Sequence, residues 1–288
     1  MTAPRLAARA ALLFAAVVWG ATFVVVERAI DDLPVLHLLA LRFTLGAALL
    51  LPLALRRGGA AGLRAAARDG AVVGVALFAG FAFQTFGLLW TTPSRSAFLT
   101  GVSVLLVPAF AWMAGGGRPR PPTVVAVLAA AAGMWVLFQP FSGAADALAF
   151  NRGDALTLGC AAAFAVHVLL VERAVARHRV TPLAVTQFLV VAAFAAPSLA
   201  LDPPAARAFT PAAVGAVLVT GVLGTAAAFA CQLYAQRRLP ATEVALMLSL
   251  EPVVAAATSI LVGREELSVS LVAGGALILA GMLLVDLA

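Results

Sequence analysis

Long apolar segments separated by short polar connectors make up almost the whole chain. The first follows a basic start with Arg5 and Arg9 and runs to about Val26, and nine more lie at 34–55, 70–90, 96–115, 122–139, 154–173, 182–201, 211–234, 241–262 and 269–287. About 20 residues at about 1.5 Å each cross a hydrocarbon core of about 30 Å. The segments lack the alternating polarity of barrel strands. The pattern therefore predicts an all-α membrane protein with ten transmembrane helices.

The segment 241–262 carries an acidic residue in its middle. Glu251 lies ten residues from the start of this segment, so about 15 Å deep in the membrane. A carboxylate at that depth is costly and typically has a function, although a hydrogen-bonded structural acid is the alternative. Pro252 removes a backbone hydrogen bond beside it. We predict a helix kink there, and another at Pro108 in the segment 96–115.

Short motifs recur at a nearly constant offset along the chain. Val26-Glu27-Arg28-Ala29 returns as Val171-Glu172-Arg173-Ala174 at an offset of 145, and Ala97 and Pro108 keep the spacing of Ala241 and Pro252 at 144. Trp90 and Tyr234 share the offset of 144, and Ala132-Gly133-Met134 returns at 148. Each half then holds five segments, so the second half enters the membrane upside down, which is typical of secondary transporters. We assign the first repeat to 1–140, an outer linker to 141–152 and the second repeat to 153–288.

Composition and charge agree with this interpretation. Of the residues 63% are hydrophobic and only 11% are charged, whereas a soluble domain has about a quarter of its residues charged. The net charge of +6 therefore reports membrane orientation and not nucleic-acid binding. If the N-terminus is cytoplasmic, five arginines lie near the outer ends and thirteen lie in the inner connectors: Arg5, Arg9, Arg56, Arg57, Arg64, Arg68, Arg118, Arg120, Arg173, Arg177, Arg179, Arg237 and Arg238. The positive-inside rule then places both termini in the cytoplasm, in a cytoplasmic (inner) membrane.

Arg42 is the one cation within an apolar segment, about 12 Å from its outer end. Its guanidinium suits a substrate carboxylate or phosphate, and a structural arginine bonded to backbone carbonyls is the alternative. We hypothesise that Arg42 pairs with Glu251 across a cavity until substrate or a proton competes.

Other polar and aromatic side chains in the segments complete the candidate substrate site. A lone His in an apolar segment can relay protons, but it more often makes a hydrogen bond between helices, which we favour here. Aromatic residues near segment ends are also expected in the interfacial belts of membrane proteins. The further candidates are Trp19, Gln84, Trp90, Thr100, His167, Gln232 and Tyr234.

Several motifs together resemble the EamA-type transporters of the drug/metabolite transporter superfamily. They are Trp19-Gly20-Ala21-Thr22-Phe23, Arg42-Phe43, the run from Trp90 to Gly101, and Leu250-Glu251-Pro252-Val253. The resemblance implies ten helices around a central cavity lined by the first four helices of each half, with the fifth and tenth peripheral. It also implies transport of a small organic metabolite, such as an amino acid, a related compound or a drug, most often outward.

Other functional classes fit less well. No His-Glu-x-x-His motif is present, and no His has ligand spacing with Cys, Asp or Glu, so we predict no metal, no cofactor and no enzymatic activity. A channel or uniporter-like pathway is the main alternative, although inverted halves favour alternating access. The expected partners are a small-molecule substrate and the lipid bilayer, and protons as a coupling ion and a homodimer are left open.

Overall fold

The computed structural model of the protein describes residues 3–138, 150–201, 209–264 and 266–284. These residues are arranged as α-helices with one π-helix, Thr220–Ala227, between α9 and α10. The helices are α1 (Ala3–Asp32), α2 (Val35–Gly87), α3 (Pro93–Gly101), α4 (Ser103–Met113), α5 (Pro121–Phe138), α6 (Arg152–Val175), α7 (Val180–Ala195), α8 (Ser198–Leu201), α9 (Pro211–Val219), α10 (Ala228–Gln236), α11 (Ala241–Leu248), α12 (Glu251–Leu261) and α13 (Val269–Leu284). Most of the predicted linker 141–152 and the last residues of both predicted repeats lie outside the described ranges.

Seven helical stretches in these ranges are long and apolar enough to cross a membrane. Two predicted segments, 34–55 and 70–90, fall largely within α2, which consists of two helical arms that meet at a kink where Gly59 has a φ of 61°. α5 and α13 are apolar but shorter. The protein is thus an all-helical, multi-pass membrane protein.

Capping residues define where several of these helices begin. Thr92 and Thr210 each accept a backbone N–H three residues ahead, and a proline follows each of them at the first helical position. Asn151 and Asp154 form a reciprocal capping box at the start of α6. Side-chain oxygens of this kind satisfy the N–H groups that a helix start leaves unpaired.

Polar contacts at the helix ends fix the relative directions of the helices. Arg9 near the start of α1 binds Glu243 near the start of α11, and Glu27 near the end of α1 pairs with Arg264 just after α12. α1 therefore runs parallel to α11 and α12. Glu172 near the end of α6 accepts the backbone N–H of Ala241, at 2.8 Å. The end of α6 and the start of α1 therefore lie at the same end of the molecule, so α1 and α6 run in opposite directions.

The core contains a cluster of aromatic rings where α2 packs against α6 and α7. Phe43 contacts Phe81 and Phe188 with ring centroids 5.1 and 5.7 Å apart, and Phe188 contacts Phe229 at 5.6 Å. Tilted and edge-on pairs of this kind add to the stabilisation from packing alone. The cluster forms one wall of the space between the helices.

α5 and α13 pack against each other at very short range. A Cβ atom at Gly133 would lie 2.7 Å from the backbone of Gly274, and one at Gly281 would lie 2.7 Å from the carbonyl oxygen of Ala126. Small residues let membrane helices approach this closely. The pair holds α5 and α13 beside the bundle, where neither contributes to the cavity described below.

Candidate functional site

A cavity lies between α1, α2, α3, the start of α4, α6, α10, α11 and the start of α12. Its empty space is about 800 Å³, open solvent included. α7 contributes no lining residue, in contrast to the family expectation for the first four helices of each half, because it packs behind the cavity against α2. Seven of the predicted substrate-binding residues line it together: Trp19, Arg42, Gln84, Thr100, His167, Gln232 and Glu251.

Two predicted site residues, Trp90 and Tyr234, are not among the lining residues. Trp90 lies just beyond the end of α2 and its side chain is about half exposed. Tyr234 packs against the hydrophobic cluster at the start of α1 and α11, and the guanidinium of Arg238 lies 3.9 Å from the centre of its ring. The structure therefore does not bring these two aromatic residues to the other seven.

Arg42 is almost completely buried, with 1% of its surface exposed. Its Nε donates a hydrogen bond to Thr225 Oγ1 at 3.1 Å, and its guanidinium carbon lies 4.6 Å from the centre of the Phe81 ring. No carboxylate within the described ranges forms an ion pair with it. The guanidinium thus retains donors that can bind an anion entering the cavity.

The π-helix Thr220–Ala227 positions both Trp19 and Arg42. Gly224 accepts the indole N–H of Trp19 through its backbone carbonyl, at 2.7 Å, and Thr225 accepts the guanidinium N–H of Arg42. A π-helix interrupts the usual i→i−4 pattern and occurs often at functional sites. Sequence reasoning missed Gly224 and Thr225, and its only signal was the pair of glycines, Gly221 and Gly224, within an apolar segment.

Glu251 lies at an interruption in the apolar segment 241–262. α11 ends at Leu248, and α12 starts at Glu251 with Pro252 beside it. Pro252 cannot donate a hydrogen bond to the carbonyl of Leu248, which is the physical reason for the end of α11. In the first half the interruption between α3 and α4 falls at Val102, and Pro108 lies inside α4.

The carboxylate of Glu251 reaches the cavity without a partner in the described part of the chain. Glu251 is a lining residue, and the ion pair with Arg42 that we hypothesised is not formed in this conformation. The cavity therefore presents one basic and one acidic side chain, each separately available. An unpaired charge in such an environment is costly and is a marker of function.

Close packing of α1 holds the Glu251 backbone in place. A Cβ atom at Gly20 would lie 2.7 Å from the carbonyl oxygen of Glu251 and 2.6 Å from Val254 Cβ. We expect Gly20→Ala to lower the thermal unfolding temperature of the purified protein, because overpacking costs about 1–3 kcal/mol. Gly215→Ala in α9 is the matched control, since a Cβ there meets nothing within 4 Å. Equal unfolding temperatures for the two variants would contradict this account of Gly20.

Amide and hydroxyl groups complete the lining of the cavity. Gln84 donates to Thr100 Oγ1 at 3.2 Å, and His167 Nε2 lies 3.0 Å from Gln187 Oε1 on α7. The hydrogen bond of His167 is between helices, as favoured from the sequence. Gln232 is buried, and its Oε1 has no hydrogen-bond partner among the described atoms. This amide oxygen is therefore a further acceptor at the cavity.

Two partly buried ion-pair contacts join helices that flank the cavity. We call the contact of Arg5 and Arg9 with Glu243 the α1–α11 ion pair; Arg9 Nη2 lies 2.7 Å from Oε1, and Arg5 Nη2 lies 3.0 Å from Oε2. We call the contact of Arg95 with Asp154 the α3–α6 ion pair. It is bidentate, with Nε and Nη2 at 2.6 and 2.5 Å from the two carboxylate oxygens.

The two ion pairs lie at opposite ends of the cavity. Arg9 precedes the lining residue Trp19 by ten residues in α1, and Asp154 precedes the lining residue Phe164 by ten residues in α6. These helices run in opposite directions, so the pairs lie about 15 Å above and below the lining residues. Arg9 and Asp154 are also 145 residues apart, the offset of the recurring Val-Glu-Arg-Ala motif.

Metal binding finds no support in the described ranges, where no group of three or more His, Cys, Asp or Glu side chains is close enough to hold an ion. Cys160 and Cys231 are both free thiols. The cavity presents hydrogen-bonding side chains, an arginine, a glutamate and aromatic rings.

Comparison with known proteins gives consistent results. The sequence profile of the EamA-like transporter family matches residues 7–139 and again residues 151–286. An uncharacterized transporter of Archaeoglobus fulgidus is 30% identical over 283 residues, which cover 98% of this chain and 87% of that protein. One solved crystal structure superposes with a TM-score of 0.79 over 96% of this chain and 95% of that chain, at 23% identity; at this identity the likeness concerns the fold alone.

Proposed function

The chain belongs to the EamA-like transporter family, and from this premise we propose that it carries a small zwitterionic solute of the amino-acid type across the cytoplasmic membrane by alternating access. The observation that carries the proposal is that one basic and one acidic side chain, Arg42 and Glu251, line the same cavity and form no ion pair in the described ranges. A zwitterion can satisfy both charges at once.

The chemistry of the cavity favours a substrate with a carboxylate and an ammonium group. The guanidinium of Arg42 suits a carboxylate, which it can bind with two parallel hydrogen bonds. The carboxylate of Glu251 accepts hydrogen bonds from an ammonium group. Trp19, Phe81 and Phe229 add aromatic surface for an apolar side chain. An apolar lining with a few convergent polar groups is typical of small-molecule sites.

Alternating access is supported by how the two ends of the cavity are held. The α1–α11 ion pair joins helices at one end and the α3–α6 ion pair joins helices at the other, and in the proposed mechanism each contact breaks when its own end of the cavity opens. Opposite directions of α1 and α6 support two inverted five-helix repeats, with boundaries at 1–140 and 153–288. In this arrangement the two arms of α2 cross separately, and α5 and α13 are the fifth and tenth crossings.

Membrane orientation in this proposal follows from the arginine distribution. Thirteen arginines fall in connectors on one side, which places both termini and the α1–α11 ion pair at the cytoplasmic face. Export as the direction of transport is carried over from the family resemblance. We include neither proton coupling nor a homodimer, because no contact among the described residues bears on either.

Counterflow in proteoliposomes tests the proposed function. Vesicles that contain the purified protein are loaded with an unlabelled amino acid, and uptake of the same amino acid in labelled form is followed. We expect a transient accumulation above equilibrium that saturates with concentration for at least one amino acid, because a carrier exchanges bound solute between its two open states.

Two outcomes would contradict the proposal, and they differ in what they overturn. Flux that reaches equilibrium without accumulation or saturation would indicate the channel-like alternative and contradict the proposed alternating-access mechanism. Absence of counterflow for all proteinogenic amino acids, with protein that is folded by its thermal unfolding curve, would remove the zwitterionic substrate class.

A further inference from the structure

A second pocket lies where the break in α2 meets the turn between α6 and α7. It has about 690 Å³ of empty space, open solvent included. We call it the basic pocket, and its charged lining residues are Arg56, Arg57, Arg177, His178 and Arg179.

Positive charge in the basic pocket is only partly balanced. Asp69 binds His178 at 2.8 Å and Arg177 at 3.3 Å. Arg56 and Arg57 pair with no carboxylate in the described part of the chain. Arg179 donates to the backbone carbonyl of Arg57, which neutralises no charge. Three guanidinium groups thus share one concave surface without a counter-ion from the protein.

Glycines at the break keep this surface open. Gly59 adopts a φ of 61°, which favours a residue without a Cβ atom, and Gly58 and Gly62 also line the basic pocket. A Cβ atom at Gly59 would meet nothing within 4 Å, so the space beside it is empty. The backbone break therefore brings Arg56 and Arg57 to the three basic residues of the α6–α7 turn.

The position of the basic pocket at the end of apolar helices limits what can bind. Arg56 and Arg57 lie at the end of the apolar first arm of α2, and Arg177 to Arg179 follow α6, and the ends of apolar membrane helices are where lipid phosphates are expected. All five basic residues belong to connectors that carry the excess of arginine, and this excess marks the face that is rich in anionic lipid.

We propose that the basic pocket binds the phosphate group of an anionic membrane lipid. The phosphate diester accepts hydrogen bonds from the guanidinium groups of Arg56, Arg57 and Arg179. The acyl chains of the lipid extend along the apolar surface of α2 and α7. Binding joins the first arm of α2 to the turn between α6 and α7, and so links a helix of the first half to two helices of the second.

Native mass spectrometry of the full chain in detergent tests this binding. The probes are phosphatidylglycerol, phosphatidylcholine as the zwitterionic lipid, and inorganic phosphate. We expect phosphatidylglycerol to bind at least about tenfold more tightly than phosphatidylcholine, since each arginine near a membrane surface contributes to binding of anionic lipid. The double variant Arg56→Gln/Arg57→Gln should lose this preference. The matched control Arg118→Gln/Arg120→Gln, also exposed and in an inner connector, should keep it.

Three outcomes would overturn the proposal. Equal affinity for the two lipids would show that the pocket does not recognise an anionic headgroup. Preference for phosphatidylglycerol that persists in Arg56→Gln/Arg57→Gln would place the lipid elsewhere on the protein. Inorganic phosphate that binds as tightly as phosphatidylglycerol, and displaces it, would identify a soluble phosphate compound as the ligand and remove the membrane lipid.

Discussion

Arg42→Gln is expected to lower amino-acid counterflow by about 10- to 100-fold while the protein stays folded. A hydrogen bond to a charged group contributes about 1.5–3 kcal/mol, and every 1.4 kcal/mol is about tenfold in affinity. The glutamine side chain can still accept or donate one hydrogen bond near Thr225 but cannot bind a carboxylate with two parallel hydrogen bonds. The measurement is the initial rate of counterflow as a function of substrate concentration, with the unfolding temperature of each variant.

A purely structural role of Arg42 makes a different prediction. Since Arg42 holds Thr225 in the π-helix, its replacement could act by loosening that segment. We therefore compare the best-transported amino acid with its carboxamide, which lacks the negative charge. The wild-type protein should discriminate against the carboxamide, and Arg42→Gln should lose the discrimination. Arg118→Gln, an exposed substitution, should keep both rate and discrimination. Unchanged discrimination in Arg42→Gln would remove Arg42 from the substrate site.

Residues that are rare in apolar segments could be identified from the sequence. Arg42 and Glu251 stand out because charged side chains inside a membrane are expensive, and both do lie at the cavity. Polar side chains at other depths, such as Gln84 and Gln232, carry the same signal more weakly. The predicted segments 34–55 and 70–90 fall on the two arms of α2, but hydropathy did not give the position of the kink between the arms, which lies at Gly59.

Contacts between distant parts of the chain could not be predicted from hydropathy. Arg9 and Glu243 are 234 residues apart; Arg9 belongs to the basic start of the chain and Glu243 to the first turn of the segment 241–262, and nothing in the pattern pairs them. Thr225 is one small residue among many in its segment, and its importance comes from the π-helix that turns it toward Arg42. Trp90 and Tyr234 share the repeat offset, but equal spacing specifies neither the face of a helix nor the depth of a side chain. Such features depend on packing and not on local pattern.

Breaking one ion pair at a time is expected to open opposite ends of the cavity. Glu243→Gln removes the negative charge that holds Arg5 and Arg9, and Arg95→Gln removes the guanidinium that binds Asp154 without changing the capping box of α6. The charged side chains of both ion-pair contacts are 0–16% exposed, except for Arg5, which is 49% exposed. Loss of one partner of a buried pair costs about 3–5 kcal/mol, so the conformation that opens that end should gain population by at least about tenfold.

Accessibility of a cavity residue from each side of the membrane measures this shift. Ser103 lines the cavity, and Ser103→Cys in a background with Cys160→Ala and Cys231→Ala provides a single reactive thiol. With a membrane-impermeant maleimide, Glu243→Gln should raise the labelling rate in inside-out vesicles, and Arg95→Gln should raise it in right-side-out vesicles. Arg237→Gln, an exposed change in the same connector region, should raise neither. A two-state carrier that loses a contact specific to one state gains population in the other state, so the two variants should raise labelling from different sides. If both raise labelling from the same side, or neither raises it, the ion pairs stabilise the fold and do not close the two ends in alternation.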